Sequence, residues 1–121
     1  MLNLDTHMLV AVLDGSLSKN ETEQVSDHEL AISDIVLWEL AKLVERNRLG
    51  LDFSSVPFRR CLRNLTVIPI SLAIARTSTE LDFKSDPADE IIAATSIVED
   101  IPLLTRDRKI LKSRIVPFAL R

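Results

Sequence analysis

Short apolar runs alternate along the chain with longer stretches in which apolar residues recur every three or four positions. That alternation of strands and helices builds a parallel sheet covered by helices. Leu2 to Leu4 predicts a strand that stops at Asp5, followed by a helix from about His7 to Leu13 that ends before Gly15. Ser16 to Glu29 holds Glu21, Glu23, Asp27 and Glu29 against one base and predicts a loop and a solvated helix serving solubility. A second strand over Leu30 to Ile32 leads to Ser33 as a helix N-cap and Gly50 as its stop, which makes the helix between them the longest. Ser55 and Pro57 open a helix through Leu65, Pro69 confines a third strand to Thr66 to Ile68, and Ser71 caps a helix to about Leu81. Asp86-Pro87 begins a helix to about Glu99, and Pro102 to Thr105 forms the fourth strand. A short turn over Asp107 to Leu111 leads into Arg114 to Phe118, an edge strand marked by Pro117.

No apolar run approaches the roughly 20 residues of a membrane span. Nor does a basic leader precede an apolar stretch at the N-terminus, so the expectation is one soluble domain over residues 1–121 with no membrane association. A lone Cys61 excludes an internal disulfide and a multi-cysteine zinc site and fits a reducing cytoplasm. With two Gly, no Tyr and 4% aromatics, the chain also lacks phosphate-cradling glycine loops and base-stacking platforms. Cys61 reads as packing, and Trp38 as a residue of the core or of a subunit interface.

Ligands of open parallel sheets sit beyond the carboxyl ends of the strands, and here those ends carry acids. Asp5 follows the first strand, Asp107 the fourth, and Asp86 and Asp89 open the helix that feeds the fourth. Each has a plain alternative: Asp5 and Asp107 can cap the helices after them, and Asp86-Pro87-Ala88-Asp89 is close to a capping box. Glu39 has Ile35, Val36 and Leu43 as helical neighbours, which puts its carboxylate beside the buried stripe, where Lys42 is the available neutralising partner. Converging carboxylates with no His or Cys cluster match a hard divalent cation with oxygen ligands, Mg²⁺ or Mn²⁺, and disfavour zinc. The chemistry such an ion supports is attack of water on a phosphate ester. His7 reads as a first-turn histidine with its own hydrogen bond, since no Ser or Cys nucleophile is paired with it.

These residues resemble a PIN domain, specifically a stand-alone toxin ribonuclease of the VapC type. The resemblance rests on Leu4-Asp5-Thr6-His7, Ile32-Ser33 through Trp38-Glu39-Leu40, Asp86-Pro87-Ala88-Asp89 with Ile92-Ala93-Ala94, and Leu104-Thr105-Arg106-Asp107, in that family's order and spacing. It implies a three-layer α/β/α sandwich around a mainly parallel sheet and Mg²⁺- or Mn²⁺-dependent cleavage of RNA to 3′-hydroxyl and 5′-phosphate ends. By position, Asp5, Glu39, Asp89 and Asp107 correspond to the family's catalytic, metal-holding acids. Asp86 matches a frequent neighbour, and Thr6, Ser33 and Thr105 fall where small hydroxyl residues support the acids. A protein antitoxin that places a basic side chain among the carboxylates, and a homodimer with Trp38 as a contact, are implied as well. The run Met8-Leu9-Val10-Ala11-Val12 departs from toxins that carry Trp in this stretch, a difference of packing and subfamily.

The formal charge of −3, from 15 Lys and Arg against 18 Asp and Glu, is unfavourable for a protein that binds phosphates. Setting the proposed site acids aside turns the balance of the rest positive. The bases cluster as Lys42, Arg46, Arg48, Arg59, Arg60 and Arg63, and as Arg106, Arg108, Lys109, Lys112, Arg114 and Arg121, and either group offers phosphate contacts or solvated helix faces. Two other functions compete: a PIN fold without catalysis that serves as a binding module, and a phospho-accepting receiver domain. The receiver needs an acidic pair after the first strand and an acceptor Asp after a middle one, and neither is present.

Overall fold

The computed structural model describes all 121 residues. Strands β1 (Leu2–Leu4), β2 (Leu30–Ser33), β3 (Thr66–Ile68) and β4 (Leu103–Leu104) form one parallel sheet in the order β3-β2-β1-β4. Leu2 lies opposite Leu30 on one side of β1, and Leu4 opposite Leu104 on the other. Around the sheet stand α1 (Thr6–Asp14), α2 (Lys19–Asp27), α3 (Ile35–Glu45), α4 (Val56–Arg63), α5 (Leu72–Thr77), α6 (Pro87–Glu99) and α7 (Arg108–Leu111), in the three-layer arrangement the alternating pattern predicts. Helices α3 and α5 pack on α6, while α4 packs on α1. No helix is long and apolar enough to cross a membrane.

The strand order reverses between β1 and β4, and such a switch point opens a crevice beyond the carboxyl ends of the two strands. Asp5 and Thr105 are the residues that follow those strands. The receiver order, 2-1-3-4-5, is excluded by this connectivity.

β1 is buried on both faces and carries a polar residue in its middle. Asn3 is wholly buried, and its Nδ2 donates to the Ile92 carbonyl at 3.2 Å and to Ser96 Oγ at 2.9 Å. The central strand is thereby clipped to α6, the helix that carries Asp89. Leu2, Leu4, Met8, Ile32, Leu40, Ile92, Leu103 and Leu104 fill the core around this clip. Cys61 packs against that core, as its sequence context predicts.

Four elements depart from the sequence expectation, each for a local reason. α3 stops at Glu45 rather than near Gly50, because Asn47 takes the left-handed conformation (φ 57) that ends a helix. The Arg48 N–H then reaches back to the Leu43 carbonyl at 2.9 Å and that of Asn47 to the Val44 carbonyl at 3.1 Å, a Schellman closure. The 13-residue α6 is consequently the longest helix. α5 stops at Thr77 because the Ser78 and Thr79 hydroxyls donate to the Ala75 and Arg76 carbonyls at 2.6 and 2.7 Å and favour a turn. Arg114 to Phe118 forms no strand beyond a single bridge of Phe118 to Leu103: Ser113 Oγ accepts from the Ile115 and Val116 amides at 3.1 Å and curls the segment. Finally, Ser33 ends β2, and the N-cap position of α3 falls to Asp34.

Candidate active site

Asp5 leaves the end of β1 and caps α1, its Oδ1 accepting from the Met8 amide at 2.8 Å. Its Oδ2 accepts from the Thr105 hydroxyl at the end of β4. That hydroxyl also accepts from the Asp107 amide at 3.0 Å, so one threonine ties together the residues beyond two adjacent strands. Burial raises the Asp5 pKa against these two hydrogen bonds, and the charge of Asp89 adds to the rise.

Glu39 faces the same mouth from the second turn of α3. Its Oε1 accepts from the Thr6 hydroxyl, which joins α1 to α3. Its pKa is also raised, first by burial and then by the charges of Asp89 and Asp5. The neutralising role open to Lys42 is not taken up: the ammonium lies 3.4 Å from Glu45 and 5.8 Å from the centre of the Trp38 ring. Trp38 is 54% exposed, which excludes it from the core.

Asp89 sits in the first turn of α6, where Oδ2 accepts from Ser85 Oγ at 2.9 Å. Burial raises its pKa, with the charges of Asp107 and Asp86 adding to it. Asp86 occupies the N-cap position of α6 without making a side-chain cap, so the expected capping box does not form and Asp86 acts on Asp89 through space. Asp107 caps α7, its Oδ1 accepting from Lys109 and Ile110 amides at 2.8 and 3.3 Å.

Asp5, Glu39 and Asp89 thus stand within electrostatic reach of one another, and Asp107 within reach of Asp89. The two ion pairs of the molecule, Lys42–Glu45 and Arg106–Glu21, neutralise none of them. No three of these side chains are close enough to grip an ion directly among them. Glu39, Asp89 and Asp107 nevertheless each have one carboxylate oxygen outside any hydrogen bond. That donor set fits a hydrated Mg²⁺-type ion, which retains waters and takes one or two carboxylates directly.

Of the expected supporting hydroxyls, Thr6 and Thr105 hold acids, whereas Ser33 is buried and accepts from the Ile35 amide at 3.3 Å. His7 is exposed and makes no hydrogen bond of its own, contrary to the reading from sequence. Arg106 is not free for phosphate: it donates to Glu21 Oε1 and Oε2 at 2.6 and 2.9 Å and to the Ser16 carbonyl at 3.0 Å. Glu21 therefore has a structural partner, and its pKa falls to about 2, chiefly through that hydrogen bond. Arg121 likewise donates to the Ser113 carbonyl and lies over the Phe118 ring. Sequence reasoning missed Ser85, Asn3 and Asp34. Asp34 Oδ2 accepts from the Ile70 amide at 3.3 Å, and its Oδ1 is buried without a partner.

The model of the PIN domain family matches residues 3–114. Ribonuclease VapC22 of Mycobacterium tuberculosis is 35% identical over 89 residues, covering 71% of this chain and 68% of that protein. Among solved structures, a toxin-antitoxin complex from Klebsiella pneumoniae aligns with a TM-score of 0.69 at 24% identity, over 93% of this chain and 91% of that one. FitAcB from Neisseria gonorrhoeae aligns with a TM-score of 0.70 at 18% identity, over 98% and 96%. Strand order, the position of the acids and these similarities agree: the chain belongs to the PIN domain family, in its VapC branch.

Proposed function

We propose that the chain is a metal-dependent endoribonuclease that acts as the toxin of a toxin-antitoxin module, hydrolysing RNA phosphodiester bonds with Mg²⁺ or Mn²⁺ held at Asp5, Glu39, Asp89 and Asp107. The observation that carries this reading is the set of three carboxylates from separate elements, all with raised pKa, none in an ion pair, gathered at the switch point of the sheet. Like charges drawn partly out of water are costly, and a cation among them would offset that cost. Metal dependence is general among VapC ribonucleases, and a bound divalent ion would supply activation of water and screening of the phosphate.

The chain's own residues fix the geometry. Thr105 holds Asp5, Thr6 holds Glu39 and Ser85 holds Asp89, and Glu39 and Asp89 each keep one oxygen outside these bonds. Asp107 is turned by its own helix cap. The solved relatives named as complexes support an antitoxin protein as partner, and a basic side chain delivered among the acids would relieve the same repulsion as the ion. Exposed Trp38 beside the cleft lined by Asp34, Ile35, Pro87, Ala88 and Ile91 supports a homodimer contact.

The test is cleavage of total RNA by the purified chain with Mg²⁺, with Mn²⁺ and with a chelator, with end-group analysis for 5′-phosphate. Asp89→Asn is expected to abolish cleavage while leaving the circular dichroism spectrum unchanged; full activity of that variant overturns the assignment. The spacing of the acids, too wide for direct chelation by three, favours a second reading as a non-catalytic module. Calorimetric titration with Mg²⁺ separates the two, since the module binds none.

A further inference from the structure

A second cleft, of about 270 Å³, opens beside the acids and is lined by His7, Val10, Leu43, Arg48 and Leu49. It lies between α1 and α3, the helices joined by the bond from Thr6 to Glu39. Leu43 stands one helical turn beyond Glu39 on the same face, and His7 is close enough to Asp5, Glu39 and Asp89 to lower their pKa values by its charge. His7 directly follows Thr6, whose hydroxyl holds Glu39, so the cleft adjoins the acidic mouth.

Its chemistry is opposite to that of the mouth. The floor is apolar, and the polar groups at its rim are an imidazole and a guanidinium, with no carboxylate. Neither is engaged elsewhere: Arg48 is exposed and in no ion pair, and His7 is exposed with no hydrogen bond. Arg48 is also placed rather than free to wander. The left-handed Asn47 turns the chain back, and the Arg48 amide is fixed to the Leu43 carbonyl at 2.9 Å, which sets the base of its side chain over the cleft.

We infer that this cleft is a nucleotide subsite for the RNA strand next to the bond that is cut, with Arg48 on a phosphate and the His7 ring against a base. The inference rests on the ribonuclease reading and deepens it. A strand whose scissile phosphate lies at the acids must pass out of the mouth, and on this side it meets a positive group for the next phosphate and an apolar, aromatic-edged recess for a base.

The test measures binding of a short, fluorescein-labelled single-stranded RNA of mixed sequence by anisotropy across a salt series, in an Asp89→Asn background that prevents cleavage. Arg48→Ala is expected to weaken binding several-fold and to lower the slope of log K against log salt by about 0.7, the share of one phosphate on a single strand. Arg48→Lys should keep the slope. His7→Ala is expected to weaken binding by about fivefold or more with the slope unchanged, as loss of a stacking ring does. Arg76→Ala, exposed on α5 and in neither basic cluster, serves as the control and should change neither. If the parent binds RNA and both variants match it in affinity and slope, the subsite is overturned while the ribonuclease reading stands. If the parent binds no RNA at all, both fail.

Discussion

Thr105 and Asp5 are separated by 100 residues in the chain, yet the hydroxyl of one donates to the carboxylate of the other across the switch point of the sheet. The same hydroxyl accepts from the Asp107 amide. Its removal therefore loosens one oxygen of Asp5 and the backbone at Asp107 together. This bond holds the Asp5 pKa down against burial, so Thr105→Val should raise it further and move the acid limb of the pH–rate profile to higher pH. Thr105→Ser should restore the profile. Rates measured across the acid range check this, and an unmoved limb in the valine variant refutes it.

The raised pKa values of Glu39 and Asp89 make a statement about stability. A carboxyl whose folded pKa exceeds its unfolded value holds its proton longer in the folded chain. Stability then falls as pH rises through the window that starts at the ordinary values of 4.5 for Glu and 3.8 for Asp, and it stays lower above the folded values. Asp89→Asn should accordingly raise the Tm of the metal-free protein at neutral pH by a few degrees, with the gain vanishing in acid. Mg²⁺ should raise the Tm of the unmodified chain and leave that of the variant less changed, as differential scanning fluorimetry would record.

Glu21 behaves in the opposite sense. Its pKa is depressed to about 2, so the stability it contributes is present above its ordinary 4.5 and is lost as pH falls toward 2. The bidentate pair with Arg106 joins α2 to the loop between Thr105 and Asp107. A double-mutant cycle on Glu21→Gln and Arg106→Ala should give a coupling of about 1 kcal/mol, the scale of a well-formed surface pair. A coupling near zero would mean that the pair does not hold the loop.

Asn3 is expected to be the most damaging polar position to alter. Asn3→Ala removes both bonds to α6 and leaves Ser96 Oγ without its donor, at a cost of about 1–3 kcal/mol. Because α6 carries Asp89, the variant should lose cleavage activity beyond its loss of Tm when assayed well below the unfolding transition. Equal loss in both would assign Asn3 to stability alone.

Most elements of the fold were legible in the sequence because period and punctuation agree: Asp5, Ser55, Ser71 and Asp107 all accept a bond from the first turn of a helix. The errors arose where one residue type serves two states. Asn47 ended α3 in the role expected of Gly50, and Ser78 and Thr79 closed α5 with hydroxyls that a periodicity reading counts only as polar. At the site, acids at strand ends are visible because the strands are. Their partners are not, since nothing in the spacing distinguishes Lys42 facing Glu39 from Lys42 facing Glu45, or Arg106 on a phosphate from Arg106 on Glu21. Asn3 was hidden for the converse reason: a polar residue inside a three-residue strand carries no mark of which helix it meets.

Strand β1 pairs on one side with β4, an edge strand whose residues come about 100 positions later in the chain. Until the segment around Leu104 and Thr105 has emerged from the ribosome, Asp5 has neither its flanking strand nor the hydroxyl that steadies it. Asp5 is therefore set in place only by residues translated long after it, and a copy cut short before Leu103 would keep the acid but lose the bond that aims it.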